Sequence, residues 1–244
     1  MPNVLVADDN PVSLRFFEDV LAQIGLESES ARDGTEAVAL ARRSRFDLLL
    51  LDARMPGLDG ADALARIRAL PGPSREAVAL ATTAGADETT RLALIGAGFA
   101  NVVAKPVTVE GLRTALGRYL EIGPGSAHTT DIDERDLDDA RALVATGGDA
   151  SILAALRGLL IAELDALPAE LADMCARGDA AALRDRLHRL DASAGFCGAP
   201  ALARAGAKLR AALAAPAWPE TAIADFLAAC AEVRARLAAS VPSR

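Results

Sequence analysis

Residues 46–60 read "FDLLLLDARMPGLDG", in which an apolar run of leucines ends on an acid. A strand with one wet face alternates apolar and polar residues. The four leucines Leu48–Leu51 leave no polar face, which suits a central strand of a parallel sheet covered on both sides. The strand is predicted over Phe46–Leu51, with Asp52 standing at its carboxyl end.

Outward from this strand, the first half of the chain alternates strand and helix signals. Strands are expected at Asn3–Ala7, Glu27–Ala31, Ala77–Thr82 and Asn101–Ala104. Helical spacing covers Pro11–Gly25, Gly34–Arg45, Leu58–Leu70, Ala86–Gly96 and Val107–Leu120. Asn10 suits the N-cap of the first helix, with Pro11 at its first turn. Five strand–helix units imply a parallel sheet sandwiched by helices, whose chemistry sits at the carboxyl ends of the strands.

"GPGSAHTT", Gly123–Thr130, is then a break of Gly, Pro and small polar residues, read as a solvated linker that includes His128. Beyond it no strand signal survives. Apolar residues at helical spacing run through Asp133–Ala145, Ser151–Arg177, Ala180–Ala194, Pro200–Ala215 and Pro219–Ser240, with a kink expected at Pro168. The expected organisation is an α/β domain at 1–122, a linker at 123–130 and an all-α bundle at 131–244.

The 244 residues are 52% hydrophobic and carry a net charge of −8. Neither half has the basic stripe of a nucleic-acid binder, so protein or small-molecule partners are expected. No apolar stretch reaches membrane-spanning length, and MPNVLVADDN has no basic region ahead of its apolar run, so no signal peptide is expected. The three cysteines, Cys175, Cys197 and Cys230, fit free thiols in a reducing cytoplasm. A zinc site from Cys175, His188 and Cys197 would match no zinc-ribbon or finger spacing, and buried apolar thiols are the better account.

Asp8 and Asp9 follow the first strand and Asp52 ends the third. In a doubly wound sheet these strands are neighbours, so three carboxylates converge and call for a cation among them. A hard divalent ion such as Mg²⁺ fits. Thr83 follows the fourth strand and Lys105 the fifth. Metal-binding acids, a central carboxylate, a hydroxyl and an ammonium together suit phosphoryl transfer, with Asp52 attacking phosphorus.

"VLVADDNPVS", "LLLLDARMPGLDG", "LATTAG" and "VVAKP" resemble, in order, the receiver domain of two-component response regulators over about the first 120 residues. The resemblance implies a flavodoxin-like (βα)5 fold. It implies Asp52 as phosphoacceptor, Asp8 and Asp9 as Mg²⁺ ligands together with the backbone carbonyl of Arg54, Thr83 as switch hydroxyl and Lys105 as phosphate partner. Thr82 is the alternative switch hydroxyl. Lys105–Pro106 resembles the family's cis peptide. Val102 stands where the family often has a switching Tyr or Phe, which argues for signal exit by another route. A haloacid-dehalogenase-like phosphatase also uses an aspartate nucleophile with Mg²⁺, but it needs a second aspartate where this chain has Arg54.

"LRDRLHRLDASAGFCGAPALARAGAKL" resembles the histidine phosphotransfer (HPt) domain, a helical bundle with the pattern H-x-L-K-G-[SA]-[SA]-x-x-[FIL]-G. His188, Leu190, Ser193, Ala194 and Gly198 match it. Asp191 and Ala192 replace its Lys and Gly on the face that carries His188. An anion there opposes an incoming phosphoryl group, and Lys208 is the candidate compensating charge.

The expected function is that of a cytoplasmic phosphorelay protein that is not itself a kinase: a receiver phosphorylated on Asp52 with Mg²⁺, and an HPt-like bundle relaying phosphoryl groups through His188. The implied partners are a sensor histidine kinase or hybrid kinase and other receiver or HPt proteins, with no nucleic acid and no membrane, and with homodimerisation left open. The alternative is an adaptor whose helical half docks without transferring phosphate.

Overall fold

The computed structural model describes residues 1–85, 87–121, 137–215 and 218–240. The chain divides into two compact units, Met1–His128 and Thr129–Arg244. The linker expected at 123–130, with His128, lies outside the described residues.

In the first unit β1 (Asn3–Ala7), β2 (Glu27–Ala31), β3 (Leu48–Asp52), β4 (Val78–Thr83) and β5 (Asn101–Ala104) form one parallel sheet in the order β2-β1-β3-β4-β5. The helices α1 (Pro11–Gln23), α2 (Gly34–Arg43), α3 (Gly60–Ala69), α4 (Glu88–Gly96) and α5 (Val109–Leu116) connect them. Asn10 caps α1, accepting from the amides of Val12 and Ser13. Asp33, Asp59, Asp87 and Thr108 cap the helices that follow, which explains why each starts where it does. α5 stops at Leu116, short of the expected Leu120, because Gly117 takes the C-cap.

All five residues of β3 are buried, as an apolar strand between two helical layers requires. Leu5, Ala7, Leu49, Leu51, Ala79 and Ala81 pack with α2 and α3 on one face of the sheet. Val4, Val6, Leu48, Leu50 and Leu80 are buried on the other face, where α1 and α5 lie. β3 starts two residues later than expected. Phe46 instead donates its amide to the Ser74 hydroxyl at 2.8 Å, and the Asp47 carboxylate accepts from the amide of Asn3 at 2.9 Å.

The order of strands places the topological switch between β1 and β3, which opens a crevice beyond their carboxyl ends. Gly60 keeps α3 tight against this edge. A Cβ at position 60 would stand 2.2 Å from the carbonyl oxygen of Asp52, so only glycine lets the helix begin there.

The second unit is helical throughout its described residues: α6 (Asp139–Ala145), α7 (Ala150–Arg177), α8 (Ala180–Phe196), α9 (Pro200–Ala212) and α10 (Glu220–Ser240). Expected residues 133–136 of its first helix lie outside the described residues. α7 runs unbroken through Pro168, which is exposed. Gly178, left-handed at φ 62°, ends α7, and Asp179 caps α8 at once.

Leu160, Leu164, Leu167, Leu183, Leu187, Leu190, Phe196, Leu209, Phe226 and Val233 fill the bundle core. A polar cluster crosses it. Glu163 on α7 accepts from Arg186 at 2.6 Å and from the Ser193 hydroxyl at 2.7 Å, both on α8, and Arg186 also pairs with Glu170 at 2.6 Å. The buried charge of Arg186 is thus fully partnered, which is the condition for carrying it inside a bundle. Cys197 and Cys230 are buried thiols and Cys175 is partly buried, all three free. Burial pushes the Cys230 thiol up to about 12, so it is a packing group at neutral pH.

Candidate functional site

Asp8 follows β1 and Asp52 is the last residue of β3, so the switch in strand order sets their carboxylates side by side. With Asp9 they form a group whose nearest oxygens lie within 4.8 Å of one another. Among the described residues no other set of His, Cys, Asp or Glu gathers this closely, and Cys175, His188 and Cys197 do not.

Lys105 follows β5 and crosses to the same point. Its buried ammonium donates to Asp8 Oδ2 at 2.7 Å and to Asp52 Oδ2 at 2.8 Å. The Lys105–Pro106 peptide is cis. Asp8 Oδ1 accepts from the amide of Asn10 at 3.0 Å, so the residue that caps α1 also orients the acid before it. Asp52 Oδ1 has a longer contact, 3.4 Å, with the amide of Arg54, whose side chain is exposed.

Thr83 ends β4, and its carbonyl accepts from the Lys105 amide at 2.7 Å, which ties the two strand ends together. The buried Thr83 hydroxyl is held 3.2 Å from both the amide and the carbonyl of Gly85 rather than on a carboxylate. Thr82 sits in register with Asp52 across the ladder. Val102 is partly buried, and Phe99 belongs to the core.

Burial dominates the electrostatics. It pushes the Asp8 carboxyl up to about 6, against the pull of Lys105. Asp52 moves the same way for the same first cause. For Lys105 burial is the largest single influence and works against the ammonium, but Asp8 and Asp52 together outweigh it and hold the proton more firmly than usual. One buried cation thus faces a cluster of three acids. The excess negative charge and the all-oxygen donor set fit a hard divalent cation such as Mg²⁺.

Residues 4–117 match the family described as "Response regulator receiver domain". This segment is a response regulator receiver domain. The receiver domain adopts the flavodoxin-like fold. It is similar to the receiver domain of the sensor histidine kinase PA1611 from Pseudomonas aeruginosa PAO1, a structure with magnesium in its active site cleft. The identity there is 35%, over 48% of this chain and 96% of that one, with a TM-score of 0.45.

Two curated relatives reach past the receiver domain. The sensor protein GacS of Pseudomonas syringae pv. syringae is 30% identical over 213 residues, 82% of this chain and 23% of its own length. The sensor histidine kinase AruS of Pseudomonas aeruginosa is 33% identical over 200 residues, 82% of this chain and 20% of its own length. The chain thus spans less than a quarter of these relatives. A match over 82% of the chain cannot be held within Met1–His128, so it extends well into the helical unit.

In that unit His188 lies mid-helix on α8 and is partly buried. Asp191, one turn on, is not the bare anion its sequence position suggests. It forms an ion pair with Arg210 of α9. Burial raises the Asp191 carboxyl while Arg210 opposes the shift. The compensating cation is therefore Arg210 rather than Lys208, which is exposed to solvent. Ala192 is buried, so its methyl is taken up by packing and does not stand out beside the imidazole. Arg210 sits nineteen positions beyond Asp191 on another helix (210 against 191), and no local pattern marks it. Among the described residues no helix is long and apolar enough to cross a membrane.

Proposed function

We propose that this chain is a phosphorelay protein, in which Asp52 accepts a phosphoryl group and His188 passes or receives one. The observation that carries the first part is the buried ammonium of Lys105 bridging Asp8 and Asp52 beside a third acid. Asp8, Asp9, Asp52 and the carbonyl of Arg54 are the groups that would hold Mg²⁺. Bound there, the ion offsets negative charge on the transferring phosphoryl oxygens.

The remaining chemistry belongs to the chain. An oxygen of the Asp52 carboxylate forms the new O–P bond as the donor's N–P bond breaks, and the electron pair returns to the donor imidazole. Lys105 releases part of its hold on Asp52 and neutralises an equatorial oxygen. Thr83, whose hydroxyl is held 3.2 Å from the Gly85 backbone, turns to donate to the phosphoryl group. At the second site a ring nitrogen of His188 attacks an aspartyl phosphate. The N–P bond forms, the O–P bond breaks, and the carboxylate is restored. The extension of the sensor-kinase matches into the helical unit supports reading the two halves as one relay. The ion pair of Asp191 with Arg210 favours the relay reading over the adaptor reading, because it sets a cation beside the acid that replaces the family's lysine.

The test is transfer of radiolabel. Asp52→Ala should abolish the base-labile, acid-stable label of an aspartyl phosphate formed from a phosphorylated histidine donor. His188→Ala should abolish acid-sensitive label taken from a phosphorylated receiver. Label that survives both substitutions rejects the assignment.

A further inference from the structure

Arg210 of α9 lies against α8 at two positions that flank His188 in sequence. Its Nη1 pairs with Asp191 and also donates to the carbonyl oxygen of Leu187 at 3.3 Å, so the guanidinium rests on the α8 surface between these two positions. Leu187 immediately precedes His188, and Asp191 lies three residues after it. Side chains at that spacing have Cβ atoms about 5–6 Å apart. The approach depends on Gly206 of α9, where a Cβ would stand 3.3 Å from Asp191 Oδ1 and 3.8 Å from Arg210 Nη1. The pair is only partly covered, with the Arg210 side chain 32% exposed and that of Asp191 23% exposed. One Nη position is committed to α8, and the guanidinium has further N–H donors for a ligand arriving from solvent.

We propose that Arg210 is the phosphoryl-positioning residue of the His188 face, with Asp191 serving as the holder that keeps its guanidinium there. This rests on the relay reading of His188. A planar, permanently charged fork matches phosphoryl oxygens better than an ammonium would, and an anion one turn from the histidine then anchors a cation instead of repelling the substrate. The ligand class is a phosphoryl group in transit between an aspartyl phosphate and the imidazole.

The experiment uses full-length recipient chains carrying Asp52→Ala, so that label can rest only on the helical unit. The donors are this chain's own receiver and two unrelated receivers, each loaded from acetyl [³²P]phosphate. His188→Ala should take no label. Arg210→Ala should slow labelling about ten- to a hundredfold, with unchanged helical circular dichroism. Arg210→Lys should recover only part of that loss, since an ammonium keeps the charge without the planar fork. The double variant Asp191→Asn/Arg210→Ala should stay about tenfold or more below the parent. If Arg210 merely cancelled Asp191, the double variant would return to the parent rate, and that result overturns the proposal. So does an Arg210→Ala chain that labels at the parent rate. Label that persists in His188→Ala, or no label on the parent from any donor, sinks the relay reading itself and the positioning role with it.

Discussion

Replacing Lys105 with methionine will lower the rate of phosphoryl acceptance at Asp52 by about 10²–10³-fold. Among the described residues the lysine is the one buried cation facing Asp8 and Asp52, at 2.7 and 2.8 Å, and it is already in place before any phosphoryl group arrives. Methionine keeps the length of the side chain and removes the charge, so the loss reports on electrostatics more than on packing. The same change leaves two buried carboxylates without their ammonium. Breaking a buried ion pair from one side costs about 3–5 kcal/mol. Here the loss should shrink at low pH, where a carboxyl can take up a proton, and shrink again with Mg²⁺. Initial rates with acetyl phosphate, and urea midpoints with and without Mg²⁺, check both parts. A Lys105→Met chain that phosphorylates at the parent rate would show that the lysine is structural only.

Asp8→Asn will stabilise the metal-free protein at pH 7.5 and remove its stabilisation by Mg²⁺. The sign follows from burial. The Asp8 carboxyl titrates at about 6 in the fold against 3.8 for an exposed one, so between these values the folded state binds more protons than the unfolded state. The favourable contribution of Asp8 is therefore complete below about pH 4 and is lost as pH rises through about 6. A shift of that size corresponds to about 3 kcal/mol. Asparagine also takes one partner from Lys105, so the net gain expected at pH 7.5 is about 1–2 kcal/mol. Mg²⁺ binds the folded parent and raises its stability by mass action, while the variant lacks a ligand and should not respond. Denaturant titrations from pH 4 to 8, with Mg²⁺ or chelator, read both. Parent stability that rises with pH from 4 to 6.5 without metal, with no gain from Asp8→Asn, would contradict this account of the pocket.

The receiver half was legible because each of its signals is local. The four leucines of β3 announce a doubly covered strand, and an acid directly after an apolar run lands at a sheet edge whatever the details of packing. Once the strand order is doubly wound, Asp8, Asp52 and Lys105 have to converge. Boundaries were harder. Phe46 and Asp47 are apolar-run neighbours in sequence, but their bonds to Ser74 and Asn3 draw them out of the strand, and those partners are fixed by tertiary contacts. The bundle shows the same limit more sharply. Its helices could be read from their spacing, but the polar links between them could not. Glu163, Arg186 and Ser193 look like ordinary amphipathic-helix residues until α7 and α8 pack. The sequence pointed to Lys208 as the compensating charge, and only the crossing of α8 and α9 over Gly206 brings Arg210 to Asp191 instead.

The central claim, that three converging acids and one lysine make Asp52 a metal-dependent phosphoryl acceptor, is tested most directly by intact-mass spectrometry after brief exposure to acetyl phosphate. With Mg²⁺ a chain carrying His188→Ala should gain a single phosphoryl group, and this should vanish with chelator and when Asp52→Ala is added. A gain that persists under either condition, or no gain at all with Mg²⁺ present, would contradict it.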